Sequence, residues 1–271
     1  MKFSKLVLGA GSLLAAAALT ACGATAEPAP TKKAAAEKAA EPAATGTFVV
    51  TYEDATTEDN QAVQQLMQEN KVLENVAEYA TDLLKLDKDV PVIAKECGVM
   101  NAFWDPQTLS ITMCYELTGH FNTLFTEAEY ENATDQALAA TNSVFFHELG
   151  HGAITLYDLP VTGKEEDAVD QLSALILTGA EQPDMVVTSA DAWGLMSNTE
   201  ELDEAAFADE HSLGAQRYYN LLCYVYGSDT KSYESLVTDE YLPQARAERC
   251  EDEYTKMSNA WSKLLQPHLK A

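Results

Sequence analysis

Between Gly23 and Gly46 the chain reads GATAEPAPTKKAAAEKAAEPAATG, without one aromatic residue and without Val, Ile, Leu or Met. A stretch with nothing to bury cannot offset the entropy of ordering itself. Any packed core must therefore come from residues 47–271. The full length of 271 residues suits one sizeable domain or two small ones, and we read a single folded domain over 47–271. Residues 22–46 then act as a flexible tether, with a reach of about 25–30 Å.

Ahead of the tether, Lys2 and Lys5 flank the start of an apolar run, Leu6 to Leu19, that closes on Thr20-Ala21-Cys22. The run is too short to span a bilayer. Charge, apolar run and small residues in that order predict a secretory signal over residues 1–21. Cys22, placed directly after it, resembles the bacterial lipobox, which implies an acylated cysteine after signal removal. An ordinary signal cleaved nearby is the alternative. Either way the expectation is an exported protein, and the lipobox reading anchors it to a membrane by its N-terminal lipid. By resemblance to Gram-negative sorting rules, Gly23 and Ala24, neither of them acidic, imply the outer membrane, facing periplasm or exterior.

Export gives the cysteines meaning. With Cys22 acylated, Cys97, Cys114, Cys223 and Cys250 remain, an even number in an oxidising compartment. No two are spaced as a Cys-x-x-Cys zinc half-site. Cys97–Cys114 and Cys223–Cys250 are the favoured pairs, because each lies within one local unit. The formal charge of −26 excludes nucleic acid as a partner and suits solubility or the attraction of basic peptides.

Within the folded part, Phe48 to Tyr52 alternates as a strand. Apolar residues from Val63 to Leu84 fall at helical spacing, as one long helix or two shorter ones. Val90 to Lys95 reads as a strand. Two further strand-like runs, Val99–Trp104 and Leu109–Tyr115, flank Asp105-Pro106 as a β-hairpin, with Cys97 expected opposite Cys114. A helix is expected from an N-cap at Thr134 to about Tyr157, ended by Leu159-Pro160. A second runs from Lys164 to Thr178, closed by Gly179. Further helical segments fall near Ala190–Asn198, Ser212–Tyr226 and Asp252–Leu265. The fold class is α+β, a small N-terminal sheet followed by a mostly helical C-terminal half.

The helix through Phe146 carries His147-Glu148-Leu149-Gly150-His151. Residues four apart share a helix face, so both histidines can hold one metal ion, and Glu148 can reach water on its open side. At this chain's His and Glu frequencies, a chance match has a probability of roughly one per cent. Gly150 costs a helix about 1 kcal/mol, which points to close packing or room for substrate. A catalytic zinc takes a third protein ligand, and the next helix offers Glu165, Glu166, Asp167 and Asp170. We read Glu166 as the ligand and Asp170, one turn on, as the carboxylate that orients a ligand histidine. Helical arithmetic makes Glu165 the alternative. His120 and His268 lack a partner pattern.

His-Glu-x-x-His followed by Glu-x-x-x-Asp resembles the gluzincin branch of zinc peptidases. More closely, NAFWDPQTLSITMCYEL, FFHELGHGAITLYDLPV, EEDAVDQ and HSLGAQRYYNLLCYVYGSD are similar to an uncharacterised bacterial family of metallopeptidase-like proteins, over most of Phe48 to Lys270. The resemblance implies a zincin-like fold, one catalytic zinc on His147, His151 and Glu166, and Glu148 as general base. It implies a hairpin over the cleft, where an edge strand can pair with an extended peptide. It also implies a downstream His or Tyr that stabilises the oxyanion, here His211. The expectation is a lipid-anchored zinc metallopeptidase acting on peptide or protein. The alternatives are a non-catalytic zinc-binding lipoprotein and a zinc amidase acting on cell-wall peptide.

Overall fold

The computed structural model describes residues 45–270; the expected signal, Cys22 and almost all of the tether lie outside them. Gly46, at the tether's end, is buried, and its N–H donates to Leu86 O at 2.9 Å. Among the described residues no helix is long and apolar enough to cross a membrane.

The chain is α+β. Four strands, β1 (Phe48–Tyr52), β2 (Val90–Lys95), β3 (Ala102–Asp105) and β4 (Ser110–Cys114), form one sheet in the order β1-β2-β4-β3. β1 and β2 pair in parallel, as do β2 and β4, while β3 runs antiparallel to β4 at the edge. The helical pattern after β1 resolves into two helices, α1 (Glu58–Glu69) and α2 (Val72–Leu83). Between them Lys71 adopts a left-handed backbone (φ 50°) that breaks the run.

The expected hairpin is present as β3 and β4, and the Cys97–Cys114 disulfide is formed with Cα atoms 5.5 Å apart. Its route differs from the expectation. Asp105 pairs with Ser110, so the residue facing Cys114 on the hairpin side is Asn101, whose carbonyl accepts the Cys114 N–H at 3.3 Å. Cys114 also registers with Lys95 of the parallel neighbour β2. Cys97, two residues on, therefore reaches it from the end of β2. The disulfide ties β2 to β4 rather than the hairpin arms to each other.

Sequence periodicity misses α3 (Tyr115–Glu127), because Tyr115 completes a strand-like alternation. α4 (Ala133–Tyr157) begins at Asn132, not at Thr134, whose hydroxyl is taken by Asn122 Oδ1 at 3.0 Å. It ends on Asp158 in the left-handed region (φ 51°). α4 is the central element: it packs against α2, α3, α6 (Pro183–Ser197) and the hairpin, and against α5 (Glu165–Gly179). Phe145, Phe146 and Leu149 are essentially inaccessible, and every residue from Ser143 to Gly150 is buried, so the middle of α4 is covered on every side.

The remainder is helical: α7 (Glu204–Ala208), α8 (Gly214–Ser228), α9 (Ser235–Thr238), α10 (Gln244–Ala247) and α11 (Cys250–Leu265). Cys223 of α8 is bonded to Cys250, the first residue of α11. In the chain-entropy account, loops of 17 and 27 residues make the two disulfides worth about 3 to 3.5 kcal/mol each. Leu269 bridges back to Leu84, at the end of α2, and His268 stacks on Tyr157 with ring centroids 4.1 Å apart.

Candidate metal centre

α4 presents His147 and His151 one turn apart, with ring centroids separated by 5.1 Å. α5 crosses α4 closely enough that a Cβ on Gly150 would lie 2.7 Å from Val169 Cβ. Gly150 therefore serves close packing, and that packing sets α5's acidic first turn against the histidines. Glu166 Oε2 lies 3.0 Å from His147 Nε2, 3.4 Å from His151 Nε2 and 3.1 Å from His211 Nε2. His211 arrives from the segment between α7 and α8. Three imidazoles from two separate parts of the chain thus converge on one carboxylate oxygen.

Each imidazole is held at its other nitrogen by its own carboxylate. His147 Nδ1 faces Asp170 Oδ1 at 2.8 Å, His151 Nδ1 faces Glu165 Oε1 at 2.8 Å, and His211 Nδ1 faces Asp209 Oδ1 at 3.0 Å. A proton on Nδ1 shared with a carboxylate leaves Nε2 as the ligand atom. Asp170 is itself gripped by Arg217, Nε to Oδ2 at 2.8 Å and Nη2 to Oδ1 at 2.7 Å. The guanidinium lies 3.7 Å over the Trp193 ring, a cation–π contact that covers the pair.

The electrostatics follow from this wiring. Burial alone lowers the His147 pKa, but hydrogen bonds to Asp170 and Glu166 outweigh it and raise it to about 9. His211 is raised mainly by its hydrogen bond to Glu166. Burial pushes Glu166 upward, yet the three histidines hold it well below the usual carboxylate range. A metal ion could stand in the place of these shared protons. Glu148 differs. It is buried beside the histidines, and desolvation pushes its carboxyl up against their opposing pull. A backbone hydrogen bond from Trp104 of β3 reaches it. The Trp104 indole donates to Thr155 at 3.0 Å, and its ring lies against Gly152. The edge strand is thereby seated directly on the motif helix.

His147, Glu148, His151, Glu166, Asp170 and His211 are therefore brought to one place. His147, Glu166 and His211 offer ligand atoms all within 4.8 Å of one another, and His151 approaches the same oxygen. The nitrogen and oxygen donors fit a divalent metal ion of borderline character. Glu165, the alternative ligand, is 46 % exposed along its side chain and orients His151 instead. It sits in the first turn of α5, where one residue of rotation separates the centre from its rim. Sequence reasoning did not assign roles to Arg217, Trp193 and Asp209. Asp209 stands two residues before His211, a spacing that carries no helical signal.

This histidine–carboxylate centre, with a buried glutamate adjacent, is an arrangement that could hold a metal ion. Over residues 52–265 the chain matches a family described as “Putative metallopeptidase”, and it belongs to that family. That description supports a metal-dependent peptidase and goes no further. Neither a curated protein nor a solved structure matches the chain.

Proposed function

We propose that this chain is an exported, lipid-anchored zinc metallopeptidase that hydrolyses peptide bonds. The observation that carries the reading is the convergence of His147, His151 and His211 on Glu166, with Glu148 buried alongside. His147, His151 and Glu166 would hold the zinc, a His₂Glu set that leaves a position open. Zinc bound there would act as a Lewis acid and lower the pKa of water.

The proton and charge work falls to the chain's own residues. Glu148, its pKa raised by burial, takes a proton from the attacking water and passes it to the leaving amine nitrogen. His211, protonated at both ring nitrogens, shares its Nδ1 proton with Asp209 and donates from Nε2 to the oxyanion that develops on the carbonyl. Asp170 and Glu165 keep His147 and His151 in the tautomer that a ligand needs. β3, with no strand beyond it among the described residues, offers its edge to an extended peptide. Cys22, beyond the described residues, would carry the lipid that places this domain in the cell envelope, at the outer membrane.

One observation favours a second reading. His211 Nε2 stands as near to Glu166 as His147 Nε2 does, and as a fourth ligand it would close the site into a non-catalytic, zinc-binding lipoprotein. Elemental analysis with a peptide-cleavage assay on Glu148→Gln separates the two. The peptidase reading expects about one zinc per chain in both proteins and a loss of about 10²–10⁴-fold in rate in the mutant. Equal rates in mutant and parent would remove the mechanism.

A further inference from the structure

A cavity of about 460 Å³ opens beside the centre and shares His211 and Arg217 with it. Its apolar wall includes Leu117, Trp193 and Met196. The charges that line it are not equivalent. Arg217 is neutralised by both oxygens of Asp170 and stacked on Trp193. Asp209 is paired with His211. Glu200 is left: its Oε2 accepts one backbone N–H, from Gly214 at 3.2 Å, and among the described residues no cationic side chain forms an ion pair with it. The cavity thus has apolar walls and one carboxylate without a cationic partner, within reach of the residues proposed to act on the scissile bond.

We propose that this cavity is a side-chain subsite for lysine or arginine in the substrate, with Glu200 as the specificity-determining residue. The proposal rests on the peptidase reading for the identity of its ligand. Long basic side chains have an apolar stem that packs along Leu117, Trp193 and Met196, and a charged head that remains hydrogen-bonded at the far end. The volume lies within the range of small-ligand pockets. An uncharged side chain of the same length leaves the carboxylate partly desolvated and without a counter-charge. An acidic one is repelled. A net charge of −26 draws basic peptides toward the surface in the first place.

The test uses the full chain supplied with zinc and peptides that differ at one position, carrying lysine, norleucine or glutamate, swept across both sides of the cleaved bond. At one fixed position lysine is expected to exceed norleucine about tenfold in kcat/KM, the scale of a hydrogen bond to a charged group. Glu200→Gln should bring that ratio to about one, and Glu200→Lys should favour glutamate over lysine. Cleavage with no position at which lysine exceeds norleucine overturns the proposal, as does an unchanged ratio in Glu200→Gln. A binding arm separates this from failure of the peptidase reading. In full-length Glu148→Gln protein, the indole NMR signal of Trp193 is followed as blocked lysine or norleucine tripeptides are added. A selective shift with lysine, abolished by adding Glu200→Gln, supports the subsite even where no peptide is cut. Equal shifts with both tripeptides, or none with either, overturn it.

Discussion

His147 and His211 approach the same oxygen of Glu166, at 3.0 and 3.1 Å, from very different surroundings. His147 rides the central helix, its side chain is 8 % exposed, and it is held at both ring nitrogens by carboxylates of α5. His211 rides an irregular segment, and its side chain is 40 % exposed. The helix-borne histidine inherits its position from packing that the core cannot give up. The segment-borne one is placed by a few surface bonds and can meet a substrate. A ligand benefits from the first setting, and a residue that acts on a passing carbonyl benefits from the second.

The largest expected effect tests that division. A His147→Ala/His151→Ala double variant should lose its zinc altogether, from about one ion per chain to none, and all cleavage with it. His211→Ala should keep about one zinc yet lose about 10²–10³-fold in kcat, the usual consequence of removing one oxyanion donor. Elemental analysis beside kinetics reads both. Loss of zinc from His211→Ala would make the two histidines equivalent and move the centre to the closed, non-catalytic form.

The same division explains what was legible in the sequence. His147, Glu148 and His151 sit at a fixed helical spacing, so a periodic pattern carries them. Glu166 and Asp170 repeat that spacing on α5, and both carboxylates stand where the pattern puts them. Both disulfide pairings were legible, although Cys97–Cys114 joins β2 to β4 and not the arms of one hairpin; three of the four strands were legible as well, and the fourth, β3, only as part of a longer run. Arg217 and Trp193 were not, because their partners lie far off in the chain: Arg217 meets Asp170 across 47 residues. Asp209 was not either, because it meets His211 only two residues on, in an irregular segment where spacing carries no signal. α3 was hidden for a different reason. Its first residue, Tyr115, extends the alternation of β4, and period alone does not show where a strand gives way to a helix.

Next in size is the bond between the two regions. Arg217→Met leaves the buried Asp170 carboxylate with His147 alone and should cost about 3 kcal/mol, which lowers the melting temperature by roughly 6–12 °C. The sign with pH follows from Asp170. Burial raises its pKa, but Arg217 and His147 hold it well below the usual value. Its contribution is therefore present above the unfolded pKa of about 4 and disappears as pH falls through the lower folded value. The gap in melting temperature between parent and variant should narrow in acid. A gap that is constant from neutral pH to pH 2 would show that the pair is not its source.

Gly150→Ala probes the helix side alone. The added Cβ would stand 2.7 Å from Val169 Cβ and 2.8 Å from its Cγ1, and overpacking of this kind costs about 1–3 kcal/mol. The helix-propensity gain of about 1 kcal/mol leaves a net loss of about 1 kcal/mol, with weaker zinc binding as α5 is pushed away. Gly163, in the connection between α4 and α5, has no atom within 4 Å of a Cβ built there, so Gly163→Ala should change stability by no more than about 0.5 kcal/mol. Chemical denaturation of both variants provides the comparison. A Gly150→Ala protein as stable as Gly163→Ala would mean that the α4–α5 crossing can give way.

The smallest expected effect lies on the segment side. Lys164, the N-cap of α5, donates from Nζ to the carbonyls of Asp209 at 3.3 Å and His211 at 3.2 Å. Ser212 adds a hydroxyl bond to Asp167 Oδ1 at 2.6 Å. These contacts tie the His211 segment to the helix that supplies Glu166. Exposed bonds of this kind are worth about 1 kcal/mol or less, and Lys164→Met removes only two of the three. Zinc content and melting temperature should therefore match the parent's, while kcat falls about two- to fivefold and KM stays in place, because the misplaced group is used only in the transition state. The double variant Lys164→Met/His211→Ala sharpens the point. If Lys164 acts by positioning His211, adding its loss to His211→Ala should cost nothing further. A full additive penalty would assign Lys164 a separate role and leave the segment's placement to Ser212 and Asp167.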